Sequence, residues 1–185
     1  MCKTVFLFVV AVIVISAARA AEQPQLTRKK LDQPQTIQGY PCASEYAWFY
    51  ADGHLQRCFV SRDTAFGEIS IPTGSIVNLS QDGRPQYAML AHDTLILGMK
   101  CSGGSPLGPA EGAMTGLYPS GKFHHCFLAE DQVVQSVPCG SGGIFHAIVG
   151  QDIPVEFYET GKLKSCRLTA DYAGRHRNDR FVQAR

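Results

Sequence analysis

From residue 39 onward the apolar positions come in short alternating runs rather than in a helical stripe. The segments YADGHLQRCFVSRD (50–63), SQDGRPQYAMLAHD (80–93), YPSGKFHHCFLAED (118–131) and YETGKLKSCRLTAD (158–171) align without a gap on Gly53, Gly83, Gly121 and Gly161. Five residues past each glycine stand Cys58, Ala88, Cys126 and Cys166, and seven past it Val60, Leu90, Leu128 and Leu168. Asp-Gly, Ser-Gly or Thr-Gly between two apolar, aromatic-rich runs predicts a β-hairpin, here with a two-residue type I′ turn. On that turn, Phe49, Leu79, Leu117 and Phe157 before the glycines share a face with the Cys and Val/Leu positions after them. No helical period of useful length follows residue 38, so the chain is expected to be all-β and antiparallel, with about four repeated hairpin units, open or curled.

The similarity runs further than the hairpin. Ile71, Cys101 and Cys139 lie eighteen residues past the glycine, and Gly74, Gly104 and Gly142 lie twenty-one past it, giving a unit of about thirty residues with a further strand after each hairpin. This register sorts six cysteines into two classes. Cys42, Cys101 and Cys139 form one, with Ile71 in the equivalent slot; Cys58, Cys126 and Cys166 form the other, with Ala88 in theirs. Pairing each member of the first class with the next of the second gives Cys42–Cys58, Cys101–Cys126 and Cys139–Cys166, and leaves Ile71 and Ala88 as a jointly replaced fourth pair. Pairing within a unit instead would strand Cys58 opposite Ile71 and Cys101 opposite Ala88. Each bond closes a loop of roughly 15 to 30 residues and contributes about 3 kcal/mol.

The ends read differently. Lys3, the apolar run Val5 to Ile15 and Ala18-Arg19-Ala20 make residues 1–20 a cleaved signal peptide, whose apolar run falls short of the roughly 20 residues of a membrane span. Cys2 leaves with it. Residues 21–38, rich in Gln, Pro and charge, are expected to be a flexible leader; residues 39–172 are the β-repeat domain and residues 173–185 a polar, basic tail. The formal charge of the chain is +1, and removal of Lys3 and Arg19 leaves 15 basic against 16 acidic residues. With no basic field, nucleic acid is not an expected partner. Export and an even set of cysteines point to a secreted or periplasmic protein.

The units FYETGKLK and LYPSGKF, aromatic-x-x-Gly-basic-apolar, resemble MORN and MORN-variant repeats of exported bacterial proteins over residues 48–171. The usual His-Gly-x-Gly ending is missing, and the cysteines are not part of that motif. The resemblance implies stacked hairpins in an elongated sheet and a binding or scaffolding role, and it transfers no site residues.

Candidate chemistry is sparse. Gly116 to Gly121-Lys122 has the spacing of a phosphate-binding loop, but Phe123 stands where Ser or Thr must reach magnesium. His124-His125-Cys126 carries metal-ligand types, yet neighbouring strand residues face opposite ways and Cys126 belongs to a disulfide. Asp63, Asp93, Asp131 and Asp171, ten residues past each glycine, offer either a carboxylate ladder for calcium or, as the local reading has it, an Asx turn at each strand end. Asn78-Leu79-Ser80 matches a glycan acceptor but falls in a predicted strand. Tyr50, Tyr118 and Tyr158 should oppose Leu55, Phe123 and Leu163 on the face away from the cysteines, with Ser80 and Pro85 in the degenerate second unit. Tyr50, Tyr118, Tyr158 and Phe123 are therefore the candidate binding residues, an aromatic platform for sugars, peptides or a sheet edge.

The expected function is an exported, non-enzymatic binding or structural module without cofactor or metal, its partner a protein or a cell-envelope or carbohydrate ligand. Two alternatives stand beside it. One is an exported hydrolase or metal-dependent enzyme assembled from His92, His124, His146 and the aspartates; the other is an assembly subunit that pairs through its sheet edges.

Overall fold

The computed structural model describes residues 25–104, 114–141 and 153–182, and among them every regular element is a strand. In chain order they are β1 (Thr27–Lys30), a short hairpin β2 (Gln35–Ile37) and β3 (Tyr40–Cys42), and a long hairpin β4 (Tyr46–Phe49) and β5 (Leu55–Phe59). The short–long pair then recurs: β6 (Thr64–Phe66) and β7 (Ile69–Ile71), β8 (Ile76–Leu79) and β9 (Pro85–Met89), β10 (Thr94–Ile96) and β11 (Met99–Cys101), β12 (Met114–Leu117) and β13 (Phe123–Cys126). It recurs once more as β14 (Gln132–Val134) and β15 (Val137–Cys139), then β16 (Val155–Phe157) and β17 (Leu163–Arg167), before β18 (Arg180–Val182) closes the chain. The long hairpins, with β1 and β18 at the edges, form a ten-stranded antiparallel meander in the order β1-β4-β5-β8-β9-β12-β13-β16-β17-β18.

The short hairpins form a second row of two-stranded ladders over one face of that sheet. Each alternates in the manner a half-buried strand pair requires: Phe66, Ile69 and Ile71 point inward, Ala65 and Ser70 outward. Between the rows lies one continuous core in which Val60, Val77, Leu79 and Leu168 are almost fully buried. All three cystines cross it. Cys42–Cys58, Cys101–Cys126 and Cys139–Cys166 join a short hairpin to the following long one with Cα separations of 5.7, 5.8 and 5.7 Å, the pairing expected from the repeat. Ile71 and Ala88 fill the fourth slot as a buried apolar pair.

The turns differ from the expected type. Tyr50 N–H donates to His54 O and Gly53 N–H to Tyr50 O, and Gly53 (φ +86°) has positive φ while Asp52 does not. That is a three-residue loop closed by a glycine in the left-handed region, not a two-residue type I′ turn, and the same bonds recur around Gly83, Gly121 and Gly161. The extra loop residue shifts the nearest pairs, so Phe49 opposes Leu55. A β-bulge at Gln56 then restores Trp48 opposite Arg57, and Gln86, His124 and Lys164 take the bulge position in the later units. The two offsets cancel. The core parity read from the sequence therefore holds although the turn does not.

The ends are also more ordered than expected. Part of the leader forms β1 and β2, and Leu31 beside them is buried; the tail supplies β18, with Phe181 packed edge-on against Tyr172. Polar composition disguised them because edge strands face solvent along one side and carry charge there. The expected signal segment and Cys2 lie outside the described residues.

Candidate functional site

The bulges collect the chemistry-bearing side chains on the face of the sheet turned away from the cystines. In each unit two successive residues, the bulge and its successor, point outward: Gln56 and Arg57, Gln86 and Tyr87, His124 and His125, Lys164 and Ser165. One residue from every strand of the large sheet falls in a single cross-strand row, Arg28–Trp48–Arg57–Asn78–Tyr87 and then Gly116–His125–Glu156–Ser165–Val182. The sequence reading missed this row because it placed no bulge; two adjacent polar residues three past each turn glycine were the available signal.

The tyrosines lie on this face, half-buried, but as clips between units. Tyr50 Oη donates to Leu79 O at 2.8 Å and Tyr118 Oη to Phe157 O at 2.7 Å, each reaching the backbone of the next unit. Burial, followed by the charge of Tyr87, Asp52 and Asp82, pushes the Tyr50 phenol up. Tyr158 occupies the corresponding place in the last unit. Phe123 does not join this platform. It pairs with Leu117, is 2% exposed and packs against Phe157 in the core, because the three-residue loop moves the residue after the turn to the inner face. Leu55 and Leu163 are turned inward in the same way.

The aspartates close the short hairpins. Asp63 Oδ1 accepts from the N–H and hydroxyl of Thr73, Asp93 Oδ1 from Gly103 N–H, Asp131 Oδ1 from the N–H and hydroxyl of Ser141, and Asp171 Oδ1 from Arg177 N–H. These bonds span ten residues in the first three cases, so Asp63, Asp93 and Asp131 each tie the two feet of a short hairpin rather than an Asx turn two residues long, while Asp171 spans the isolated Tyr172–Arg175 bridge. The two bonds from Thr73 hold the Asp63 carboxyl below its ordinary range.

The titratable cluster of the outer face centres on Glu156. Its carboxylate accepts from Ser165 Oγ at 2.8 Å and pairs with Arg180 at 3.1 Å and Lys164 at 3.4 Å; against the pull of its own burial, those partners lower its pKa. Opposite it, His125 lies over Gly116, where a Cβ would collide with the imidazole, and its Nδ1 is 3.0 Å from that of His124. Burial first, then the neighbouring His124, pushes His125 down to about 4, while Glu156 works the other way. Ser165 donates directly to the carboxylate, so no imidazole stands between them to take its proton, the arrangement a serine nucleophile needs. Among the described residues no group of three His, Cys, Asp or Glu side chains is placed to hold a metal ion. His92 turns its Nδ1 to Asp93 O at 3.0 Å, and His146 lies outside the described residues. Asn78, fully buried with its Oδ1 accepting from Arg57 Nε at 2.8 Å, is closed to a glycosyl donor in the folded chain.

Clefts break the regular stack among the described residues. One of about 250 Å³ opens at the tip of the third short hairpin, where Leu97 stands exposed above Phe123 and Phe157. Another, about 530 Å³, lies on the outer face where the second unit has Ser80 and Pro85. The fold and site define a disulfide-bonded, two-row antiparallel β-repeat protein. No protein-family model, no curated protein and no solved structure matches this chain. Among the described residues no helix is long and apolar enough to cross a membrane.

Proposed function

We propose that this chain is an exported, non-enzymatic β-repeat module, MORN-like in its stacked hairpins, that acts as a binding or scaffolding surface in the periplasm or outside the cell. The observation that carries the reading is where the reactive groups go. All six cysteines of the repeat are in cystines, the Tyr50 and Tyr118 hydroxyls hold neighbouring units together, Asp63, Asp93 and Asp131 close short hairpins, and the Ser165 hydroxyl is tied to a carboxylate. Three cystines across a thin two-row core also favour an oxidising compartment over the cytosol. The outer row that remains, with Trp48 and Tyr87 half-buried, supplies rings and hydrogen-bonding groups suited to a neutral or weakly polar ligand. β1, an edge strand among the described residues, carries Arg28, Lys29 and Lys30, so pairing it with a second copy of itself would set like charges side by side.

The test is expression of the full chain with its export segment intact. The expected product starts at Ala21, carries three disulfides by intact mass, contains no stoichiometric zinc or calcium and turns over no ester, glycoside or peptide substrate. Stoichiometric metal, or turnover lost in His125→Gln, would overturn the non-enzymatic reading; recovery of a reduced chain from the cytosol would overturn export.

A further inference from the structure

The second unit is a repeat with one tooth missing. In units one and three a phenol ring lies across the outer face, and its hydroxyl reaches the carbonyl of the residue four before the next turn glycine, Leu79 for Tyr50 and Phe157 for Tyr118. By the same register the second unit should send residue 80 to the Leu117 carbonyl. Residue 80 is serine. Its hydroxyl is turned into its own loop, where it bonds Asp82 and the backbone of Arg84, and it is too short to reach the third unit.

The space is left open. A cleft of about 530 Å³ lies at this place, lined by Ser80, Pro85, Gln86, Tyr87, Leu117 and Pro119, with the Arg84–Asp82 ion pair (2.9 Å) at its rim. Two prolines and a tyrosine give flat apolar walls of the kind an aromatic ring packs against, and the rim carries no net charge. We propose that this cleft binds the phenol ring of a tyrosine side chain presented by a partner protein, with its hydroxyl donating to the Leu117 carbonyl as Tyr50 donates to Leu79 O and Tyr118 to Phe157 O. The inference rests on the binding-module reading and names the ligand chemistry of that surface. The fold supplies the template: it already holds the same ring in the same relation to the backbone twice.

The test is a titration of the isotope-labelled mature protein, followed by amide shifts, with N-acetyltyrosinamide, N-acetylphenylalaninamide and glucose as probes. The tyrosine probe should shift Ser80, Tyr87 and Leu117 and saturate. The phenylalanine probe should bind roughly fivefold more weakly, the worth of one hydroxyl hydrogen bond. Ser80→Tyr should fill the cleft from within, raise the thermal midpoint and abolish those shifts. Gln86→Arg, at an exposed bulge position on the cleft wall, narrows the opening without touching the core and should weaken the same probe if Ser80→Tyr fails to fold. Equal binding of the tyrosine and phenylalanine probes, preference for glucose, or shifts that survive both variants would overturn the proposal. Probe binding elsewhere on the outer face would overturn this cleft while leaving the binding module standing, whereas turnover or tight metal would strike at the module itself.

Discussion

The Glu68 carboxylate accepts the backbone N–H of Phe123 at 2.6 Å, across 55 residues of chain. Its counterparts act locally. Gln38 Oε1 accepts Leu55 N–H and Gln135 Oε1 accepts Leu163 N–H, so the tip of a short hairpin satisfies the amide just past the turn of the long hairpin that follows. The second long hairpin has Pro85 there, which offers no N–H, and the third short hairpin has Leu97 at its tip, which offers no acceptor. Glu68 skips the first deviation and repairs the second. Its own N–H donates to Gly121 O, and Gly67 (φ +60°) lies so close to that turn that a Cβ would strike the Gly121 carbonyl oxygen. Glu68→Ala should therefore cost about 1–3 kcal/mol, the penalty for orphaning a partly buried amide, and Glu68→Gln much less. Equal urea midpoints for Glu68→Ala and wild type would sink this account.

The empty disulfide slot can be refilled. Ile71 and Ala88 occupy the positions that Cys101 and Cys126 hold in the next unit, and both are buried. Ile71→Cys with Ala88→Cys is expected to form a fourth bond on oxidation. A loop of this size should add up to about 3 kcal/mol, less the loss of the isoleucine side chain. The check is intact mass and thiol titration of the folded double variant; two reactive thiols would show that the units are not equivalent in space.

The tyrosine clips give a smaller and more local effect. Tyr118→Phe removes the donor to Phe157 O while keeping the ring against His124, at 4.4 Å between centroids. A loss of about 1 kcal/mol is expected. Amide exchange should accelerate first across β13 and β16, because that hydroxyl ties the loop entering β13 to the end of β16, and uniform acceleration over all ten strands would argue against a clip.

Acid should loosen the third and fourth units. His125 has a folded pKa of about 4 against an ordinary 6.5, so between those values the unfolded chain binds a proton that the folded chain does not. Stability is complete above pH 6.5 and falls as pH drops toward 4, by an amount on the order of 3 kcal/mol for this group alone. Glu156, whose pKa is lowered, acts in the same sense below the ordinary carboxylate range. His125→Gln should flatten the dependence between pH 7 and 4.5. An unfolding midpoint in wild type that does not move across that window would contradict the burial of the imidazole.

Gly116 is required by the same imidazole. A Cβ there would overlap the ring of His125, which is held from behind by His124. Gly116→Ala should cost about 1–3 kcal/mol through overpacking, and pairing it with His125→Ala should recover most of the loss. Additive losses in the double variant would place the strain elsewhere.

Much of this architecture is legible in the chain. The spacing of Gly53, Gly83, Gly121 and Gly161 and the period-two pattern around them fix the number of long hairpins, their inward residues and the all-β class, because alternation is a local consequence of the pleat. The joint replacement of two cysteines by Ile71 and Ala88 favours three bonds among the possible pairings, and those are the bonds present. What the sequence could not decide depends on cancellation or on distance. A three-residue loop and a bulge at Gln56 leave the core parity unchanged, so the core pattern is blind to both, yet together they turn Phe123 inward and line up the outer row. Each short hairpin looks like a single strand in the sequence because three-residue strands carry too little periodicity to separate. Arg28 and Phe181 looked like parts of loose ends, since an edge strand is recognised by its neighbour and not by its own composition. Only the tertiary structure brings Glu68 to Phe123 and leaves Ser80 short of Leu117, for a hydrogen bond across two units is set by how the rows stack, and no window of sequence contains both partners.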